Sequence, residues 1–113
     1  METAIIIVVV IAFFIWRFKP TKGVKSISTA ELKQIINDKD KVFIDVRTQG
    51  EYKARNVRQF KNMPLGSDLS KLPKDKEIVV ICQSGMRSSQ ACKQLKKFGY
   101  EKVTNVRGGM SAY

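Results

Sequence analysis

Cys82 follows the apolar run Ile78-Val79-Val80-Ile81 and opens the stretch Gln83-Ser84-Gly85-Met86-Arg87-Ser88, after which a helical pattern begins. A cysteine at the carboxyl end of a strand, followed by a tight turn into a helix, faces inward-pointing N–H groups and the positive end of the helix dipole. Such a setting holds a thiolate and an anion bound to it. Gly85 lets the backbone curl so that successive N–H groups converge on one point. Ser84 and Ser88 bring hydroxyl donors, and Arg87 brings a guanidinium charge. Met86 is expected to form a soft rim at the mouth. Cys82 is therefore read as a nucleophile, with Gln83 to Ser88 as the cradle around its target. The plainer reading is a small buried residue that closes a strand.

Four residues separate Cys82 from Arg87, one fewer than in cysteine-dependent phosphatases. So small a ring of amides crowds a phosphoryl group yet still encloses a single terminal sulfur atom. Histidine is absent, which rules out a Cys-His or Ser-His pair and any histidine-containing metal site within the chain. No metal or cofactor is expected. Cys92 falls on the helix after the loop, where it reads as core filler or as a thiol that resolves an oxidised Cys82. Asp45 and Arg47 end another apolar run on the same sheet edge as Cys82 and are expected at the edge of the pocket. A buried Asp45 is expected to hold loop amides, and Arg47 either faces the pocket or pairs with Glu51 across the turn.

The elements that must position these groups are legible in the pattern. Val24 to Ile27 reads as a short strand. Ser28-Thr29-Ala30-Glu31 has capping-box spacing and opens a helix with Leu32, Ile35 and Ile36 along one stripe. Lys41 to Val46 is nearly all apolar, as expected of a strand covered on both faces. Thr48-Gln49-Gly50-Glu51 is a second capping box, opening a short helix through Ala54. A brief strand is expected at Gln59 to Met63, a short helix at Ser67 to Leu72 and a second buried strand at Glu77 to Cys82. Ser88 to Phe98 reads as a helix with Ala91, Leu95 and Phe98 on one face, ending at Gly99. Tyr100 to Val106 supplies the last strand before Arg107-Gly108-Gly109. Strands alternating with helices imply an α/β fold with a mainly parallel sheet and helices on both faces.

Ahead of this domain, no residue from Ala4 to Trp16 is charged. A helix over residues 1–18 would reach about 27 Å, near the thickness of a bilayer's hydrocarbon. Arg17, Lys19, Lys22 and Lys25 follow with no acidic residue among them, so the positive-inside bias places the rest of the chain in the cytoplasm. A cleaved signal peptide fits less well, because a basic amino-terminal region and a small-residue cleavage site are both missing. The expected organisation is a transmembrane anchor at 1–18, a basic linker at 19–23 and one domain at 24–113, in a single-pass cell-membrane protein. The 113-residue chain carries a formal charge of +11, from 21 Lys and Arg against 10 Asp and Glu. That excess favours anionic partners. Nucleic acid is not expected, since no stacked aromatic platform or helix-turn-helix pattern accompanies it. The basic stretch Lys53, Arg55, Arg58, Lys61 reads as a solvated face or as a surface that docks on anionic lipid or a partner.

Cys82-Gln83-Ser84-Gly85-Met86-Arg87-Ser88 resembles the Cys-x-x-Gly-x-Arg-Ser loop of single-domain rhodaneses. Three further stretches match that family in order: Ile27-Ser28-Thr29-Ala30-Glu31-Leu32, Phe43-Ile44-Asp45-Val46-Arg47 with Glu51-Tyr52, and Val106-Arg107-Gly108-Gly109-Met110. The resemblance spans about Val24 to Tyr113. It implies a rhodanese-like sheet of about five mainly parallel strands, with Cys82 at the bottom of a cradle. It also implies a thiosulfate sulfurtransferase-like cycle, in which sulfane sulfur passes from a small anionic donor through a Cys82 persulfide to a thiol, cyanide or protein acceptor. Where the family has Gly-His-Ile-Pro-Gly-Ala, this chain has Arg55-Asn56-Val57-Arg58-Gln59-Phe60. Two rival readings remain: a non-catalytic, membrane-tethered interaction module, and an arsenate- or phosphate-handling enzyme using the same cysteine. Sulfur transfer requires Cys82 to be open to solvent with the peptide N–H groups turned toward it.

Overall fold

A computed structural model describes residues 5–11 and 23–113. After a helical segment α1 over residues 5–11, the elements run β1 (Val24–Ile27), α2 (Thr29–Ile35), β2 (Lys41–Asp45), α3 (Gln49–Ala54), β3 (Lys61–Asn62), a 3-10 turn (Leu69–Lys71), β4 (Glu77–Ile81), α4 (Met86–Lys97), β5 (Val103–Val106) and α5 (Gly109–Ala112). The five strands form one sheet in the order β1-β5-β4-β2-β3, and every neighbouring pair is parallel. The expected fold class is what the chain adopts.

Local chemistry explains the boundaries. Both capping boxes close: the Ser28 and Thr48 hydroxyls accept from the N–H groups of Glu31 and Glu51, whose carboxylates accept in return from the Ser28 and Thr48 N–H groups. Reciprocal satisfaction of these orphan donors sets each helix start. The strand expected at Gln59 to Met63 shrinks to Lys61–Asn62, which pairs only with Ile44 and Asp45 at the sheet's edge. The helix expected at Ser67 to Leu72 is a single 3-10 turn capped by Asp68.

Side chains alternate across the sheet, so two cores form. Ile78, Val80 and Cys82 point into the layer under α4, with Ala91, Cys92 and Leu95. Val79 and Ile81 point the other way, toward Leu32, Val57, Phe60 and Met110. Every residue from Ile78 to Cys82 is fully buried, as expected of a central parallel strand covered on both faces.

The topology also fixes where a site can form. From β2 the chain moves outward to β3, whereas from β4 it moves the opposite way to β5. The crevice at the carboxyl ends of β2 and β4 is therefore the switch point of the sheet, where open α/β folds bind ligands. Asp45 and Arg47 lie at one lip and Cys82 at the other.

Most of the expected anchor at 1–18 lies outside the described residues. The part that is described, residues 5–11, is helical and exposes an isoleucine or valine at every position. Among the described residues no helix is long and apolar enough to cross a membrane. Of the expected linker at 19–23, only Gly23 is described.

Candidate functional site

β4 ends at Ile81, and the turn Cys82 to Gly85 lifts the chain into α4. Gly85 is the N-cap, with φ 98°, a conformation that costs an L-residue with a side chain strain and costs glycine little. α4 begins at Met86, two residues before the expected start, so Arg87 and Ser88 lie in its first turn. This curl turns donors onto one atom. The Gly85 N–H donates to Cys82 Sγ over 3.0 Å. Burial alone would push the thiol up, but hydrogen bonds from the Ser88 hydroxyl and from the Ser88, Ser84 and Gly85 N–H groups outweigh it. Cys82 is held below the usual thiol range. Of the expected ring of amides, the Gly85 N–H is the one hydrogen bonded to Sγ among the described residues.

Solvent exposure is not as expected. Cys82 is buried, with 0% of its surface exposed. Met86 does stand out at the rim, 76% exposed.

Arg87 was expected beside the sulfur, yet its guanidinium is committed elsewhere. Its Nη1 and Nη2 donate to Glu51 Oε1 and Oε2 over 2.6 and 2.9 Å, joining α4 to α3 across the crevice. The Arg87 hydrogen bonds and the Thr48 N–H hold the Glu51 carboxyl down at about 2. Glu51 therefore serves as helix cap and as anchor for Arg87.

The other lip is a buried ion pair. Arg47 Nε and Nη2 donate to the Asp45 carboxylate at 2.8 to 3.1 Å, and both side chains are buried. The expected pairing of Arg47 with Glu51 is not formed, since Glu51 is taken by Arg87. As expected, Asp45 is buried and holds a loop amide, accepting the Arg47 N–H over 2.9 Å. Arg47 still touches the site: its Nη1 donates to Gln83 Oε1 at 3.4 Å, and its Nη2 donates to the Arg55 carbonyl at 2.6 Å. A desolvated pair with its remaining donors satisfied makes a rigid lip.

Two supports were not anticipated. α5 packs against the back of the loop, where the Met110 and Ser111 N–H groups donate to the Cys82 and Gln83 carbonyls over 2.8 and 2.9 Å. Gly109 makes this approach possible, since a Cβ there would lie 2.2 Å from the Cys82 carbonyl oxygen. On the flank, Asn105 of β5 meets the Ser88 hydroxyl. The adjacency of β5 to β4, which no local pattern encodes, brings both supports to the loop. Beside the loop, away from Arg87, a cleft of about 780 Å³ is bordered by Gly85, Ser89, Lys93, Asn105 and Arg107.

Cys92 is also buried and unpaired. With no donors turned on it, burial and then the charge at Cys82 push its thiol up to about 12. It packs in the core under α4 with Ala91 and Leu95. No group of side chains that could hold a metal ion occurs among the described residues.

The family model for the rhodanese-like domain matches residues 28–113. A putative sulfurtransferase, YtwF, from Bacillus subtilis is 43% identical over 94 residues, covering 80% of this chain and 90% of that protein. A sulfurtransferase from Allochromatium vinosum is 35% identical over 94 residues, covering 80% and 88%. Among solved structures, a rhodanese-like domain protein from Staphylococcus aureus superposes with a TM-score of 0.70 at 33% identity, over 78% of this chain and 89% of that one.

Proposed function

Since this chain belongs to the rhodanese-like domain family, we propose that it is a sulfurtransferase that carries sulfane sulfur on Cys82. The observation that supports this best is the Gly85 N–H turned onto Sγ at the start of α4, in a loop that holds the buried thiol below its usual range. In the first half-reaction the Cys82 thiolate attacks the outer sulfur of a donor such as thiosulfate. The Sγ–S bond forms, the donor's S–S bond breaks, and sulfite leaves with the electron pair. The persulfide's terminal sulfur keeps the negative charge, within reach of the loop N–H groups. In the second half-reaction a thiol, cyanide or protein acceptor attacks that terminal sulfur, and the pair returns to Sγ. No oxidant or cofactor enters the balance.

Sulfur transfer needs an open Cys82 and this one is buried, so the proposal stands only with a gating step. The mouth opens when Arg87 lets go of Glu51 and Gln83 lets go of Arg47. The freed guanidinium then meets an anionic donor, which compensates for the lost ion pair. Thiosulfate added to the full chain should raise its mass by one sulfur atom, reversibly with reductant, and add nothing to Cys82→Ala. A wild-type protein unmodified by every sulfur donor would favour the non-catalytic module instead.

The same proposal includes a membrane anchor over residues 1–18, with the domain on the cytoplasmic side. The apolar run Ala4 to Trp16, the basic residues after it and the exposed aliphatic surface of α1 support it. The full chain should then resist carbonate extraction from membranes, while a fragment beginning at Val24 stays in the supernatant. Release of both by carbonate would remove the anchor.

A further inference from the structure

The flank of the site formed by α4 and the end of β5 carries charge of one sign. α4 contributes Arg87, Lys93, Lys96 and Lys97 and no carboxylate, and Arg107 follows β5. From Ile78 to Tyr113 the only acidic residue is Glu101. The cleft of about 780 Å³ beside the Cys82 loop opens on this flank, and none of its lining residues is acidic. α4 supplies Lys93 to that lining and the segment after β5 supplies Arg107, both exposed. Among the described residues no carboxylate pairs with Lys93. Arg107 donates to the Ser26 carbonyl at 3.3 Å and lies 3.6 Å from Glu31, with both charged side chains more than half exposed. A pair so exposed is weak and exchanges readily for another anion. Arg87, by contrast, is already held by Glu51.

We propose that this cleft docks the sulfur acceptor, and that the acceptor is a protein presenting its cysteine on an acidic, extended segment. This rests on the reading of Cys82 as the sulfur carrier and deepens it by naming the partner. Ser84, Gly85 and Met86 belong both to the cleft and to the stretch that joins Cys82 to α4, so a segment lying there rests against the loop. Met86, Gln90 and Lys93 stand exposed along one face of α4. Met86 and Lys93 are about 10 Å apart along the helix, a span that about three extended residues cover. Such a segment meets an apolar rim beside the sulfur and cations further along. Because Cys82 is buried, the acceptor thiol has to be held out on a narrow stalk, which a cysteine on an extended segment provides.

The docked thiol loses its proton to solvent, and its thiolate attacks the terminal sulfur of the Cys82 persulfide. A new S–S bond forms on the acceptor, the bond to Sγ breaks, and its electron pair returns to Sγ. An anionic bilayer fits this flank less well. A lipid surface is flat and does not follow a cleft. The chain also enters the sheet at Val24, beside Val103, whereas the cleft lies around and past Val106 at the other end of β5.

The test loads the full chain with thiosulfate in neutral detergent and follows sulfur transfer to synthetic single-cysteine peptides by mass spectrometry. One peptide flanks its cysteine with Asp and Glu, a second with Asn and Gln, and a third with Lys, compared at equal thiolate fraction. At low salt kcat/KM for the acidic peptide should exceed that for the amide peptide by about tenfold, and the gap should close as salt is raised. Lys93→Glu with Arg107→Glu should reverse the order and favour the Lys peptide. The acidic peptide should also shield Lys93 from acetylation. Equal kcat/KM for the three peptides, or an acidic preference that survives both charge reversals, would overturn the inference. So would a Lys93 shielded by phosphatidylglycerol vesicles and not by the acidic peptide, which would give the flank to lipid. A full chain that takes up no sulfur would strike the sulfur-carrier reading itself, whereas one that loads and then serves all peptides alike would strike only the docking.

Discussion

Cys82 and Cys92 are the same residue type, both buried, in the same core layer and one short stretch of chain apart, yet their acidities are driven in opposite directions. Desolvation pushes both thiols up. Around Cys92, in the middle of α4, every backbone N–H is spent on the helix ladder, so nothing opposes burial. At Cys82 the helix has only begun, and the unspent N–H groups of its first turn face the sulfur. Position relative to a helix start therefore separates a thiol held below its usual range from one pushed above it. Burial does not.

The most direct way to break this comparison is to remove each sulfur in turn. Cys82→Ala should abolish persulfide formation from thiosulfate, down to the uncatalysed background. Cys92→Ala should retain the wild-type rate and lose about 1 kcal/mol of stability, the cost of a small cavity. Comparable activity losses in the two variants, measured in a thiosulfate-cyanide assay at equal folded fraction, would mean that Cys92 takes part in the chemistry.

Next in size is the support behind the loop. Gly109→Ala would drive a Cβ into the Cys82 carbonyl oxygen and the Gln83 backbone, at a position whose φ is 55°. The loop must shift or α5 must peel away, and the expected loss is about 2–4 kcal/mol of stability. Urea unfolding measures the loss directly. Cys82 in the surviving folded fraction should alkylate with a profile closer to that of an ordinary thiol. Wild-type stability and profile together would show that α5 does not brace the site.

What could be read from the chain before its fold was known follows the same division between local and distant. The capping boxes at Ser28 and Thr48, the buried run Ile78 to Ile81 and the curl at Gly85 are set by residues within a few positions of one another. Each is found where the pattern puts it. The partners distant in sequence were missed: Glu51 for Arg87, Asn105 for Ser88, and the close approach of Gly109 and Met110 to the Cys82 carbonyl. These contacts depend on β5 and β2 flanking β4, and on α3 and α4 rising from either side of the switch point. The sequence does contain one faint signal for the last of them. Gly108-Gly109 just after a strand marks a close backbone approach, though not what is approached.

Ser88→Ala sharpens the comparison at the sulfur itself, since it removes the largest of the contributions that oppose burial at Cys82. The thiol should become less acid by about one pH unit, a tenfold smaller thiolate fraction at pH 7. The rate of the first half-reaction should fall in proportion at neutral pH and recover as the pH is raised. A loss that does not recover in alkali would place Ser88 in substrate binding and not in thiolate stabilisation.

The smallest effect expected separates hydrogen bonding from charge as the source of the Cys82 acidity. Glu51→Gln leaves the size of that side chain unchanged but releases Arg87, whose guanidinium is then free to lean toward Sγ. If the convergent donors dominate, the alkylation half-point of Cys82 should move down only slightly. A large drop would show that charge had been withheld from the sulfur by the ion pair. The same variant carries a stability signature with a definite sign. Glu51 is held at about 2, below its ordinary value, by Arg87 and the Thr48 N–H. Its contribution is therefore fully present above the unfolded carboxylate's pKa of about 4.3, and is lost as the pH falls toward 2. The pair is partly exposed and screened, so the contribution is small. The thermal midpoints of wild type and Glu51→Gln should differ modestly at pH 7 and converge on acidification. A gap that stays constant down to pH 2.5 would mean that the glutamate acts through packing, not through its charge.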